Sequence, residues 1–300
     1  FCILSGIVLA VLFYNSMLYT WINVDYMDEH VYPRVDSLFL NMIRMAAGLL
    51  VLFGVAFLAQ RLSRKRSGDL PAVFTGLFCV LVSIFWIETS KTMPQADQQD
   101  IVKYAVAFHN GDMSALQEGG YVANYQQQLG IITFLRILFF FFGQGNYKAF
   151  QYFNAVMVFV LVYSGYQLVK GMTDQDSKAE ILYLIFMLFC IPLYGYTPFV
   201  YGEISSTALV FLGAWIFVSI LNKFSFRKLV CLGAVCGAMV QLRQNTLIFA
   251  IACLIVVLIK WIGKPEKTLL YTAVFVVGGI AAFQIALNVI YAPWLSKEVK

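Results

Sequence analysis

Windows of about 20 apolar residues recur along the whole chain, and they constrain its fold more than any other feature. Each window is long enough to cross the hydrocarbon core of a bilayer as a helix. Hydrophobic residues make up 61% of the 300 residues and charged residues 12%. In soluble domains, about 45–50% of the residues are apolar and about 25% are charged. The sequence therefore predicts an all-α polytopic membrane protein. We expect the protein to contact the lipid bilayer and not to bind nucleic acid. Its net charge of +5 is better explained by the Lys and Arg residues that orient a membrane protein.

The basic residues set that predicted orientation, because Lys and Arg concentrate in cytoplasmic loops. The densest basic run, residues 61–66, is assigned to the cytoplasm. Later basic clusters fall on the same side only if residues 131–142 do not cross. That run is about twelve residues long and interrupted by Arg136, whereas a spanning helix needs about 17–25, so an interfacial helix is expected. Nine spans follow, at residues 3–22, 38–60, 71–90, 152–169, 179–195, 205–222, 229–242, 246–262 and 268–290.

The loop at residues 91–146 is a long polar insertion in this apolar chain. Long loops in compact proteins are usually either functional or disordered. This loop keeps apolar residues at helical spacing (Ile101, Tyr104, Ala105, Phe108), which favours an ordered and functional segment. The charge bias places the loop on the extracytoplasmic side.

Two regions are expected. Residues 1–70 form an N-terminal two-span hairpin with a basic cytoplasmic loop, and residues 71–300 form a transmembrane core. The chain begins with Phe1 and ends at Lys300, shortly after a predicted span. We therefore expect the core to be truncated at its C-terminus.

Neither the cysteines nor the histidines predict a metal site. All six cysteines lie in apolar segments, with no CxxC pair and no Cys/His cluster, which is typical of small buried thiols. His30 and His109 have no second ligand at a metal-binding spacing. No metal site is therefore predicted from these residues.

Acidic residues are the first candidates for chemistry. Asp97 and Asp100 stand at positions i and i+3, which places them on one face of a helix. Either carboxylate is suited to general-base catalysis, although both would also satisfy free N–H groups at a helix N-terminus. Glu203 borders a predicted span. Such an acid is a functional candidate, with stabilisation of the helix N-terminus as the alternative.

A polar group at the end of another span is the second candidate. Gln241, Arg243 and Asn245 lie together where the predicted span 229–242 ends. An Arg on the predicted outer side runs against the usual charge bias and could hold a phosphate or diphosphate through two hydrogen bonds. The alternative is an Arg that reaches the lipid headgroups.

The order of these motifs resembles the C-type (GT-C) membrane glycosyltransferases, and within them the bacterial branch related to protein O-mannosyltransferases and aminoarabinose transferases. The resemblance covers about residues 71–290 and rests on order and spacing more than on any single motif. The motifs are Pro94-x-x-Asp97-Gln98, Tyr104-Ala105, Gly120-Tyr121-x-x-Asn124-Tyr125-x-x-Gln128-Leu129-Gly130, Phe142-Gly143, Tyr152-Phe153-Asn154, Pro192, Tyr201-Gly202-Glu203 and Leu242-Arg243-x-Asn245.

The resemblance implies a GT-C-like helical core with juxtamembrane helices in the first large extracytoplasmic loop, in a bacterial plasma membrane. It implies a sugar donor linked to polyprenyl phosphate, whose tail lies between spans, and a glycan, lipid or protein acceptor. The implied roles are general base for Asp97, supporting acid for Asp100 and Glu203, phosphate binding for Arg243, Lys103 and Lys148, and substrate binding for Tyr125, Gln128, Tyr201 and Gln241.

The chain also departs from the family pattern. Many relatives carry paired acids where Asp97 is followed here by Gln98, and a Tyr-Pro pair where this chain has Tyr125-Gln126. These departures leave the need for a divalent cation and the identity of the acceptor open. A flippase or transporter for lipid-linked or anionic envelope precursors is the main alternative, and a non-catalytic assembly protein is a further one.

Overall fold

A computed structural model describes residues 2–23, 31–63, 68–173 and 175–294 of the chain. The protein is about 80% helical with almost no sheet, which confirms the predicted all-α class. It divides into two compact units, Phe1–Lys65 and Arg66–Lys300. The division falls a few residues before the boundary expected after residue 70. Several residues named above lie outside the described part: His30, residues 64–66 of the basic run, and Lys300.

The N-terminal unit contains a pair of helices and a short hairpin. Helix α1 (Cys2–Leu18) is followed by strand β1 (Tyr19–Asn23), strand β2 (Val31–Val35) and helix α2 (Leu38–Ser63). The strands pair antiparallel, with Tyr19 opposite Val35. The span predicted at residues 3–22 was therefore too long at its end. Its last residues, Tyr-Thr-Trp-Ile, are aromatic or β-branched and favour a strand.

The second unit is a helical bundle. Its α-helices are α3 (Leu70–Ser90), α4 (Asp97–His109), α5 (Tyr121–Asn124), α6 (Leu129–Phe142), α7 (Lys148–Met172), α8 (Ser177–Leu188), α9 (Ile191–Gly195), α10 (Glu203–Asn222), α11 (Phe226–Leu242), α12 (Leu247–Gly263) and α13 (Lys267–Tyr291). Short 3₁₀ turns lie at Ser114–Leu116, Gln126–Gln128 and Gln244–Thr246.

Five helical segments in the described part are long and apolar enough to cross a membrane: Leu70–Ser90, Lys148–Met172, Glu203–Asn222, Gln244–Gly263 and Lys267–Tyr291. They correspond to five of the predicted spans and are typical of an integral membrane protein. Helix α11, with 17 residues, packs between α10 and α13. The full count of nine spans stays a prediction.

The span predicted at residues 179–195 is not one helix. Helix α8 ends at Leu188, and α9 begins at Ile191 with Pro192 in its first turn. Proline has no backbone N–H and fits the first turn of a helix, whereas in a helix interior it removes a hydrogen bond. Pro192 therefore accounts for a new helix start within the predicted span.

Helix α6 does not carry the chain from one end of the bundle to the other. Helix α3 ends next to the start of α7, since Lys148 lies 3.2 Å from Glu88. The segment between them, which contains α4 and α6, thus leaves and returns at the same end. Helix α6 has 14 residues, fewer than a span requires. Its geometry agrees with the non-spanning interpretation, and its position at a membrane surface stays a prediction.

The opposite end of the bundle has its own polar contacts. Asp69, just before α3, accepts hydrogen bonds from Lys170 at 2.8 Å and Gln167 at 2.7 Å. The ion pair with Lys170 and the other donors lower the pKa of Asp69, against the opposing effect of burial. Tyr166 donates to Glu180 at 2.7 Å. These contacts connect α3, α7 and α8 at the end remote from α6.

Candidate functional site

The candidate site forms where α6, α10 and α11 approach one another closely. Gly130 in α6 touches the end of α11, and a Cβ added there would lie 2.3 Å from the Gln241 carbonyl oxygen. Gly202, just before α10, has φ +88°, and a Cβ there would lie 2.5 Å from the Leu242 carbonyl oxygen. Both positions require glycine because backbone fills the space that a side chain would need.

Buried amide side chains fix the segment that precedes α10. Gln151 donates to the Pro198 carbonyl at 2.8 Å, and Asn154 donates to the carbonyls of Thr197 and Phe199 at 3.1 and 3.0 Å. Gln98 of α4 accepts the Val200 N–H at 2.8 Å. Because unpaired buried polar groups are costly, these bonds define the path of the chain into Tyr201. Gln98 therefore has a structural role here.

A chain of hydrogen bonds then leads to Asp97. The Tyr121 hydroxyl donates to Gln128 Oε1 at 2.9 Å, and Gln128 Nε2 donates to the Tyr201 hydroxyl at 2.8 Å. The Tyr201 hydroxyl donates to Asp97 Oδ2 at 3.1 Å. Asp97 itself is exposed. The result is a solvent-accessible carboxylate whose position is set by a tyrosine from a distant part of the chain.

Tyr121 and Tyr201, the two tyrosines in this series of hydrogen bonds, remain hydrogen-bond donors over an extended pH range. Burial and the negative charge of Asp97 raise the pKa of Tyr201, partly offset by Arg243. Burial, followed by the charges of Asp97 and Asp100, raises the pKa of Tyr121. Each phenol therefore stays protonated at neutral pH.

An ion pair lies beside the tyrosine. Arg243 Nη2 is 3.2 Å from Glu203 Oε1, and both side chains are partly exposed. The guanidinium also lies 4.4 Å from the centre of the Tyr201 ring, a cation–π contact. The second carboxylate oxygen of Glu203 is buried and accepts no hydrogen bond from any residue that the structure describes. A buried acceptor without a donor is uncommon, and it lies next to the cation.

Two cavities lie beside these residues and share one residue of their walls. A polar cavity of about 250 Å³ has Gln127, Gln128, Ile101, Ile131, Tyr201, Leu242, Arg243, Gln244 and Asn245 in its wall. An apolar cavity of about 500 Å³ is lined by residues of α6, α7, α10, α11 and α13, among them Thr133, Phe134, Phe153, Leu209, Gln241, Leu242, Phe283 and Leu287. Leu242 borders both cavities. A ligand with a charged head and a hydrocarbon tail fits such an arrangement.

The structure thus brings together Asp97, Gln128, Tyr201, Glu203 and Arg243, which are separated in sequence. Asp100 shares the first turn of α4 with Asp97. Tyr125 packs on the Tyr121 ring with centroids 4.9 Å apart. Gln241 donates to Gln284 at 3.3 Å and faces the apolar cavity.

Two lysines predicted to bind phosphate line neither of these cavities. Lys148 pairs with Glu88 at 3.2 Å. Lys103 lies over the ring of Tyr104, 5.3 Å from its centre. The sequence analysis assigned no role to Tyr121, although this residue stands in the Gly120–Gly130 motif seven residues before its partner Gln128. Of the three basic residues predicted to bind phosphate (Lys103, Lys148 and Arg243), only Arg243 lines the polar cavity.

Among the described residues there is no cluster of three or more His, Cys, Asp or Glu side chains that could hold a metal ion. Comparison of the chain with protein-family models, with curated proteins and with solved structures finds no match.

Proposed function

We propose that the protein is an integral-membrane glycosyltransferase that moves a sugar from a polyprenyl-phosphate donor to an acceptor hydroxyl on the extracytoplasmic side. The observation that carries the proposal is that a polar and an apolar cavity lie side by side, with Leu242 in the wall of both. One holds the guanidinium of Arg243 and the other is apolar. A lipid-linked sugar phosphate needs both surfaces at once, and Asp97 lies one hydrogen bond from Tyr201 at the same place.

Arg243 is the proposed phosphate ligand. A guanidinium can give two parallel hydrogen bonds to phosphate oxygens. Glu203 and the Tyr201 ring hold the guanidinium in position. The prenyl chain would occupy the apolar cavity, where burial of hydrocarbon contributes about 25 cal/mol per Å².

The proposed reaction is a single displacement at the anomeric carbon. Asp97 takes the proton of the acceptor hydroxyl while the acceptor oxygen forms a new bond to that carbon. The bond from carbon to the phosphate oxygen breaks, and its electron pair leaves with the polyprenyl phosphate. Arg243 stabilises the charge that develops on the leaving group. Tyr201 and Gln128 position the carboxylate.

Substitution of the proposed base tests this function. We expect Asp97→Asn to lower transfer of radiolabelled sugar from a polyprenyl-phosphate donor by about 10²–10⁴-fold, the usual contribution of a general base. Asn keeps the shape and can still accept from Tyr201, so the protein should insert in the membrane normally.

Glu118→Gln is the matched control, since this exposed acid lies in the same loop and lines neither cavity. Its transfer rate should equal that of the unsubstituted protein. An Asp97→Asn variant with an undiminished rate would remove Asp97 from the role. Movement of the donor across vesicles without any transfer would favour the flippase alternative.

A further inference from the structure

A third cavity lies on α6, away from Arg243. Its volume is about 360 Å³, and it is lined by His109, Thr133, Arg136, Ile137, Phe140, Ile290 and Tyr291. None of these residues lines the polar cavity. The proposed transfer reaction uses neither of the basic side chains in this cavity, His109 and Arg136.

Arg136 is the charged group of this cavity. It has no hydrogen bond or ion pair with any residue in the described part of the chain, unlike Arg243, which pairs with Glu203. None of the described residues that line the cavity is acidic. A half-buried guanidinium without an anionic partner favours an anionic ligand, and the imidazole of His109 can supply a further donor.

The floor of the cavity is held in place by other contacts. The hydroxyls of Thr133 and Tyr291 lie 3.0 Å apart. Tyr291 is fully buried and packs against Phe108 with ring centres 5.6 Å apart. The space beside Arg136 is therefore bounded by a fixed wall, so a ligand would enter a preformed site.

The rim of the cavity is apolar and open. Phe140 is 75% exposed, Ile290 52% and Ile137 48%. Ile137, Ile290 and Thr133 also line the large apolar cavity, so hydrocarbon surface continues from one to the other. A soluble anion would gain nothing from these side chains, whereas a lipid chain would be in contact with them.

We propose that this cavity binds the headgroup of an anionic bilayer phospholipid, with its phosphodiester at Arg136 and His109 and an acyl chain against Ile137, Phe140 and Ile290. One permanent cation, in a cavity with no acidic side chain among its described lining residues, matches the single charge of a phosphodiester. Basic pockets beside membrane helices bind lipid headgroups through this combination of charge and hydrocarbon contact. Its charged end at Arg136 is distinct from Arg243, while its apolar rim shares Thr133, Ile137 and Ile290 with the cavity proposed for the prenyl chain. The lipid assignment does not depend on the proposed transferase function.

The test measures binding of phosphatidylglycerol to purified protein in detergent by native mass spectrometry, without any sugar donor. We expect Arg136→Gln to weaken binding about ten-fold or more, the size of a lost hydrogen bond to a charged group. Arg136→Lys should retain part of the affinity because it keeps the charge. Phe140→Ser should also weaken binding through the lost apolar contact.

Arg227→Gln is the matched control, because it makes the same change of charge at an exposed residue near the start of α11 that lines neither the cavity of Arg136 nor that of Arg243. It should bind phosphatidylglycerol as the unsubstituted protein does. Equal binding by Arg136→Gln, or the same loss in the Arg227→Gln variant, would overturn the proposal.

Competing ligands distinguish the sources of phosphate. Inorganic phosphate and neutral diacylglycerol should each fail to displace phosphatidylglycerol at equal concentration. Displacement by inorganic phosphate would show a free-anion site and contradict the lipid assignment. Stronger binding of polyprenyl phosphate than of phosphatidylglycerol at Arg136 would equally contradict the choice of a bilayer phospholipid.

Discussion

Tyr201 is the residue that joins the acid and the cation of the candidate site. Its hydroxyl contacts Asp97 and Gln128, and its ring lies against the Arg243 guanidinium. A cation–π contact contributes about 0.5–1 kcal/mol at exposed sites and about 2 kcal/mol when desolvated. Substitution can separate the hydrogen bonds of the Tyr201 hydroxyl from the contact between its ring and Arg243.

Tyr201→Phe removes the hydroxyl and keeps the ring. Asp97 then loses a hydrogen-bond donor and Gln128 loses an acceptor. A net hydrogen bond contributes about 0.5–1.5 kcal/mol, so we expect kcat for sugar transfer to fall about 2–10-fold with little change in KM for the donor. Tyr201→Leu also removes the ring beneath Arg243, and we expect it to raise KM for the donor in addition. Identical kinetics for the two variants would show that the ring does not position the phosphate ligand.

The sequence indicated most of these residues but not their contacts. Asp97, Glu203 and Arg243 could be assigned to one side of the membrane because charge bias and helix count decide sidedness. Which side chains touch depends on how closely helices approach, and that depends on Gly130 and Gly202. Lys148 shows the limit of the same reasoning, because it is on the expected side yet pairs with Glu88 at the end of α3.

At the scale of elements, long apolar windows were predicted to within a few residues. Helices α3, α12 and α13 each begin and end close to the expected bounds, since charged or polar residues flank them. Shorter features were missed where local chemistry outweighs average hydropathy. Pro192 separates α9 from α8, and the β-prone residues after Leu18 form a strand. Both signals were present in the sequence, and both are weaker than a continuous apolar window.

The contact between α3 and α7 predicts a pH-dependent stability. The folded-state pKa of Asp69 is lowered, chiefly by Lys170. Its stabilising effect is therefore fully present above the ordinary pKa of about 3.9 and is lost as the pH falls through the lower folded value. We expect Asp69→Asn to destabilise the protein at pH 7 by about 0.2–1 kcal/mol, as for a partly exposed ion pair.

The difference in melting temperature between the Asp69→Asn variant and the unsubstituted protein should shrink between pH 5 and pH 3. Differential scanning fluorimetry in detergent measures it, with Glu118→Gln as a control that shows no difference at either pH. A gap that stays constant down to pH 3 would mean that Asp69 acts through its packing or its neutral hydrogen bonds alone.

At the scale of the whole second unit, the site and the basic loops lie at opposite ends of the helices. Gly202 at the start of α10 contacts Leu242 at the end of α11, so the two helices run antiparallel. At their other ends, Lys228 donates to the Ser219 carbonyl at 3.4 Å. A 20-residue helix separates these ends by about 30 Å, the thickness of a hydrocarbon core. The bias of Lys and Arg toward the cytoplasm then predicts that the site lies outside.

That orientation can be measured with single cysteines in a variant whose native cysteines are replaced. Gln144→Cys lies in an exposed turn at the site end, and Lys223→Cys lies in an exposed turn at the basic end. We expect a membrane-impermeant maleimide to label intact cells at position 144 only, and to label position 223 after permeabilisation. With residues 61–66 in the cytoplasm, a crossing by α6 would exchange the sides of the two positions, so the expected pattern also requires that α6 does not span. Labelling of position 223 in intact cells would invert the bundle, and a transferase acting on extracytoplasmic acceptors would then be excluded.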